Sequence, residues 1–170
     1  MSTDKVKVTK DTKNKTLTIE RTFDAPVEKL WRAYTDQEWF EKWWGPEGWK
    51  TTATEFDFRL GGRLHYVMEC VDKNQGEWYG YKAWSLMVVE SIDELNSITI
   101  QDNFSDAEGN IDTKMPSQKF IVEFVKEGNK TRLVSRSVLE TIEELEQLIQ
   151  MGMVEGFSSQ LNRLERLLEA

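Results

Sequence analysis

Cysteine and histidine occur once each in this sequence, as Cys70 and His65, and no stretch is long and apolar enough for a membrane span or the core of a signal peptide. A lone thiol cannot close an internal disulfide, so the chain is expected to hold its shape by packing and to reside in a reducing cytoplasm. One histidine and one cysteine all but exclude a structural zinc site. Cys-x-x-Cys, His-Glu-x-x-His and Gly-x-Ser-x-Gly are absent, and Gly45-Pro46-Glu47-Gly48 lacks both the lysine and the spacing of a phosphate-cradling loop. We therefore expect no metal and no cofactor, and we assign no catalytic residue. Positive charge is also short: 22 Lys and Arg stand against 30 Asp and Glu, a net charge of -8, and the basic residues are scattered. That balance argues against nucleic acid and against anionic membrane surfaces as partners. Asn14, Asn103 and Asn129 begin Asn-x-Ser/Thr triplets, which carry no consequence without a secretory signal.

Aromatic residues are what the chain has in quantity. It holds 7 Trp and 8 Phe, and four of the tryptophans fall between Trp39 and Trp49 in WFEKWWGPEGW. Such side chains bring large apolar area at low conformational cost, which suits an aromatic-walled interior. The length of 170 residues fits one domain with one sizeable core.

Residues 1–14 read as a weakly ordered lead-in or a single edge pairing, and 15–170 as the domain proper. From Lys15 to Phe23, Leu17, Ile19, Arg21 and Phe23 alternate with threonines and Glu20, which predicts the first strand. Asp24 offers a cap and Pro26 a first turn for a short helix carrying Val27, Leu30, Trp31 and Tyr34. Thr35 and Glu38 have capping-box spacing ahead of a second short helix that Gly45 and Pro46 end. Strand-like runs follow. Phe56, Phe58 and Leu60 share one face, Leu64, Tyr66 and Met68 resume it, and further runs centre on Trp84–Val89, Ile98–Phe104, Phe120–Val125 and Arg132–Leu139. The total is about seven strands in an antiparallel meander. Thr141 and Glu144 open a last helix whose apolar stripe runs to Leu168, roughly 40 Å at 1.5 Å per residue if continuous. Gly152 and Gly156 lie inside it, and such glycines call for a reason: close backbone approach, a bend, or room for a bound molecule.

The order of elements predicts an α+β helix-grip fold, a curved antiparallel sheet wrapped around the long C-terminal helix, with two short helices after the first strand. The motifs TLTIERTFDAPVEKLWRAYTDQEWFEKWWGP, FDFRLGGRLHYVM, DNFSDAEGN with Met115-Pro116, and MGMVEGFSSQLNRLERLL together resemble the SRPBCC superfamily, also called START-like or birch-allergen-like. Within it they are most similar to the branch of heat-shock protein 90 ATPase activator homologues. The resemblance implies an internal cavity between sheet and helix that holds hydrophobic molecules in relatives. It also implies a chaperone as a partner. In the activator, however, this domain follows a second, N-terminal one, for which the residues before the first strand are expected to leave no room. Distant relatives that act as polyketide cyclases or aromatases supply a third reading, with no catalytic residue to carry over.

Taken singly, the reactive residues are unpromising. His65 alternates away from the apolar side and is expected in solvent. Cys70 reads as an inert buried thiol without a cation to lower its pKa. Asp57 and Arg59 read as an outer-face ion pair, and Glu143, Glu144 and Glu146 as charges favoured at a helix N-terminus. The collective aromatic signal points instead to binding or carriage of a hydrophobic or aromatic small molecule, lipid-like or polyphenol-like. The expected lining is Trp44, Phe56, Phe58, Tyr66, Met68, Trp84, Phe104, Phe120, Met153 and Phe157, with Tyr81 or Gln160 as polar contacts. The chain is expected to be a monomer or weak homodimer.

Overall fold

The computed structural model describes residues 5–170. Its strands are β1 (Lys7–Asp11), β2 (Thr16–Phe23), β3 (Trp49–Phe56), β4 (Arg63–Cys70), β5 (Lys82–Asp93), β6 (Ser97–Phe104), β7 (Gln118–Glu127) and β8 (Lys130–Val138). The helices are α1 (Val27–Thr35), α2 (Gln37–Trp43), α3 (Ile142–Gln150) and α4 (Met153–Glu169). All strands join one antiparallel sheet in the order β1-β2-β8-β7-β6-β5-β4-β3. The helix-grip architecture is therefore present, with eight strands instead of seven. The extra strand is β1, an exposed edge paired with β2 from Lys7 opposite Glu20 to Asp11 opposite Thr16. It falls within the stretch expected as a weakly ordered lead-in or a single edge pairing, of which residues 1–4 lie outside the described residues.

Strand alternation decides what faces the helices. Leu17, Ile19 and Phe23 of β2, Leu64 and Tyr66 of β4, Met87 and Val89 of β5, Ile98 and Ile100 of β6, and Phe120, Val122 and Phe124 of β7 point inward and are buried. They meet Leu30, Tyr34, Phe40, Trp43 and Trp44 around α1 and α2, and Leu145, Leu148, Leu161, Leu164 and Leu168 from the C-terminal helices. Trp43 has no exposed surface, and its indole N–H donates to the Ala33 carbonyl at 2.8 Å.

Three local expectations need correction. Phe58 and Leu60 do not extend β3, which starts at Trp49 and ends at Phe56; the chain turns at Asp57–Gly62, and Leu60 is exposed. The cap of α2 is Asp36, whose carboxylate accepts from the Trp39 amide at 3.2 Å, while the Thr35 hydroxyl turns back to the Trp31 carbonyl. Pro26 occupies the cap position of α1, so Asp24 provides no cap there.

The most consequential correction concerns the final helix, which is not one rod. Gly152 adopts φ 92°, a left-handed conformation costly for any residue with a Cβ, and it separates α3 from α4. Its amide donates to the Ile149 carbonyl at 3.0 Å and its carbonyl accepts from Gly156 at 2.8 Å, so the joint closes one helix and starts the next. α4, of 17 residues, remains the long helix that the sheet grips.

Candidate functional site

A cavity of about 220 Å³ lies between the inner face of the sheet and α4. Ile19 of β2, Tyr66 and Met68 of β4, Ser85 of β5, Asp102 and Phe104 of β6, Gln118 and Phe120 of β7, and Ser135 and Ser137 of β8 form its floor. Trp44 and Pro46 after α2, with Met153, Gly156, Phe157 and Gln160 of α4, complete the wall. A smaller space of about 50 Å³ adjoins it and shares Ser85, Asp102, Phe104 and Gln118, with Pro116 and Leu148 beyond.

The aromatic rings meet edge to face. Trp44 and Phe120 have centroids 6.3 Å apart, Phe120 and Phe157 5.9 Å, and Trp44 and Phe157 6.4 Å, so each ring supports the next. The Trp44 indole N–H donates to the Tyr66 hydroxyl at 3.0 Å. Burial, followed by the neighbouring Asp102 carboxylate, raises the pKa of that hydroxyl, which therefore keeps its proton.

Asp102 has an unusual place. The pairing of β6 with β5 sets it opposite Met87 on the inner face, among apolar residues. It borders both cavities. Its carboxylate accepts from the Gln118 side-chain amide at 3.1 Å. Burial pushes its pKa up to about 7, against the lowering influence of Gln118 and the Asn103 backbone N–H. The remaining polar wall is incompletely satisfied: Gln118 Oε1 and Gln160 Nε2 are buried and have no hydrogen-bond partner within the protein.

Polar bonds from α4 hold the wall in position. Gln160 Oε1 accepts from the Gly45 amide at 2.8 Å, and Ser159 Oγ accepts from the Glu47 amide at 3.1 Å. The Arg163 guanidinium donates to the carbonyls of Gly45 at 2.7 Å, Pro46 at 3.2 Å and Lys42 at 3.2 Å. Further along, the buried Arg21 of β2 donates to Asn162 Oδ1 at 2.7 Å and lies 3.0 Å from the Glu165 carboxylate.

Of the residues expected to line the cavity, Trp44, Tyr66, Met68, Phe104, Phe120, Met153, Phe157 and Gln160 come together around it. Four do not. Phe56 packs on Phe40 and Phe58, extending the core beside α2. Tyr81 is exposed and leans on Trp49 and Trp78. Trp84 lies on the opposite face of the sheet, because Ser85 is the β5 residue that pairs with Tyr66. There Trp84 stacks on His65 with centroids 5.0 Å apart.

His65 corrects a second expectation. It is on the outer face but buried, since the loop after β6 folds over it. Its Nε2–H donates to the Asp106 carbonyl at 3.0 Å, and its Nδ1 lies 3.0 Å from the Thr54 hydroxyl. Cys70 is buried, and Asp57 and Arg59 form an exposed pair at 2.8 Å. Neither they, nor His65, nor Glu55 border the cavity. Sequence reasoning missed Asp102, Gln118 and the serines of β5 and β8. The signal was nonetheless present, since Ile98, Ile100, Asp102 and Phe104 occupy one alternating face.

A sheet curled on a helix, with an aromatic-walled hollow between them, defines the helix-grip class of cavity proteins. A family model described as "Activator of Hsp90 ATPase homolog 1-like protein" matches residues 24–169, and the chain belongs to that family. The SRPBCC resemblance of its motifs thus holds. Among solved structures, a protein of Mycobacterium smegmatis is 32% identical, with 96% of each chain covered and a TM-score of 0.85. One from Arthrobacter aurescens is 27% identical over 97% of this chain and 92% of its own, with a TM-score of 0.87. A third, from Staphylococcus epidermidis, is 30% identical over 95% and 93%, at 0.79. A comparison with curated proteins finds no match. Among the described residues no helix is long and apolar enough to cross a membrane, and no group of three or more His, Cys, Asp or Glu could hold a metal ion.

Proposed function

We propose that this protein binds a small hydrophobic or aromatic molecule in the cavity between the sheet and α4. The observation that carries the reading is the hollow itself, about 220 Å³ walled by Trp44, Tyr66, Phe104, Phe120 and Phe157. An engineered apolar cavity of about 150 Å³ suffices for benzene, so this one suits a molecule of one or two rings. An aromatic group of that size buries about 200 Å² of surface, worth about 5 kcal/mol. That figure is an upper bound on what burial contributes to affinity, because immobilising the guest offsets part of it. Native mass spectrometry of freshly purified protein tests the reading: a co-purifying mass of one or two rings is expected. Failure of any such molecule to co-purify, together with an unmoved melting temperature across a panel of aromatic compounds and lipids, would sink it.

A second reading, docking on a chaperone, draws on the family description and on one surface feature. Val71, Trp78, Tyr79 and Tyr81 are each about half exposed and close in sequence around the turn after β4. Exposed apolar patches of this kind commonly serve protein contacts. Stimulation of a heat-shock protein 90 ATPase by the protein, lost in Trp78→Ala, is its test; an unchanged ATPase rate refutes it.

A further inference from the structure

The cavity wall contains one group that a purely apolar guest does not need. Among the described residues, Asp102 is the only one bordering either hollow that carries a formal charge. Burying a carboxylate without a cation is costly, and among the described residues no lysine or arginine borders either hollow. The other groups around it are the Tyr66 hydroxyl from β4, the Ser85 hydroxyl from β5, the Gln118 amide from β7, Leu148 from α3, and Phe157 and Gln160 from α4. Tyr66 is the one other titratable side chain among them, and it stays neutral. Arg163, the nearest cation of α4 to the wall, is engaged by the carbonyls of residues 42–46.

Resting on the reading of the cavity as a binding site, we propose that its guest is an aromatic molecule bearing a protonated amine, with the ammonium group held by Asp102. Three features favour a cation. A single carboxylate at the end of an aromatic chamber gives an ammonium a direct ion pair with hydrogen bonds. The ring faces of Trp44, Tyr66 and Phe120 carry the negative side of the aromatic quadrupole, which attracts a cation and repels an anion. Gln118 donates one N–H to the carboxylate, and its Oε1, an acceptor beside Asp102, is one of the buried atoms without a partner within the protein. An ammonium, with three donors and no acceptor, satisfies both groups after a small adjustment of the amide. A fatty acid or other carboxylate would instead bring like charge against Asp102 in a medium of low dielectric. The raised pKa agrees in direction, since burial without a facing cation disfavours the charged carboxylate.

The test uses the full chain and three probes of nearly equal shape: naphthylmethylamine, naphthylmethanol and naphthoate, titrated by calorimetry near neutral pH. The ammonium is expected to bind about tenfold tighter than the alcohol, with the carboxylate weakest, and Asp102→Asn is expected to remove the amine's advantage. The order of the three probes on the unaltered protein stands even if that variant fails to fold. Equal or tighter binding of the alcohol or the carboxylate overturns the charge preference while leaving the cavity a binding site. Absence of binding by all three probes overturns both readings.

Discussion

At the scale of the residue, the chemistry concentrates at Asp102. Its pKa of about 7 in the folded state stands above the ordinary 3.8, so over that window the folded protein holds a proton that the unfolded chain releases. Stability contributed by the protonated carboxyl is complete below about pH 4 and is lost as pH rises through about 7. Urea denaturation of the protein and of Asp102→Asn should therefore diverge between about pH 4 and pH 7, the unaltered protein losing stability relative to the variant as pH rises, with a constant difference above about pH 8. Parallel curves would show that the carboxyl titrates normally. Asp102 was passed over in the sequence because an acid flanked by Gln101 and Asn103 reads as a solvated strand position, although it alternates in phase with Ile98, Ile100 and Phe104. Its register opposite Met87 confirms the inner face. Trp84 misled for the converse reason: its strand has apolar residues on both faces, and size alone does not say which one meets α4.

At the scale of the element, the two glycines of the C-terminal region have opposite roles. Gly152 needs its left-handed backbone, and Gly152→Ala is expected to cost about 1–2 kcal/mol. Gly156 has ordinary helical geometry, lines the cavity, and a Cβ there would meet nothing within 4 Å. Gly156→Ala should accordingly stabilise the protein by up to about 1 kcal/mol. Thermal unfolding of the pair checks both signs. α4 is also tied down by Arg163, and Arg163→Ala, which takes the donor from the Gly45 carbonyl while Pro46 keeps the Trp49 N–H, is expected to cost about 1–3 kcal/mol by urea denaturation. The apolar stripe and the capping of α3 by Thr141 were legible in the sequence. The break was not, because a stripe with helical spacing on both sides of Gly152 continues in phase. Only the backbone angle distinguishes a tolerated glycine from a required one.

At the scale of the whole molecule, the architecture was the most legible part, since alternation and helical periodicity are repeated over many residues and errors at single positions average out. A guest that binds only the folded state must stabilise it. At one hundred times its dissociation constant it adds about 2.7 kcal/mol, equivalent to about 5–10 °C in melting temperature for a chain of this size. Scanning calorimetry with the tightest aromatic probe reads that shift directly, and a constant melting temperature would mean that the hollow stays empty. The anchors along α4 have one more implication. Gln160 and Arg163 of α4 hold Gly45, and Arg21 of β2 holds Asn162, all within one turn of the helix, so sliding it by one turn would break all three contacts at once. The chamber's width is consequently fixed from the α4 side. A bulkier visitor has to gain its space by pushing Met153 and Phe157 aside or by swinging α3 about its left-handed joint.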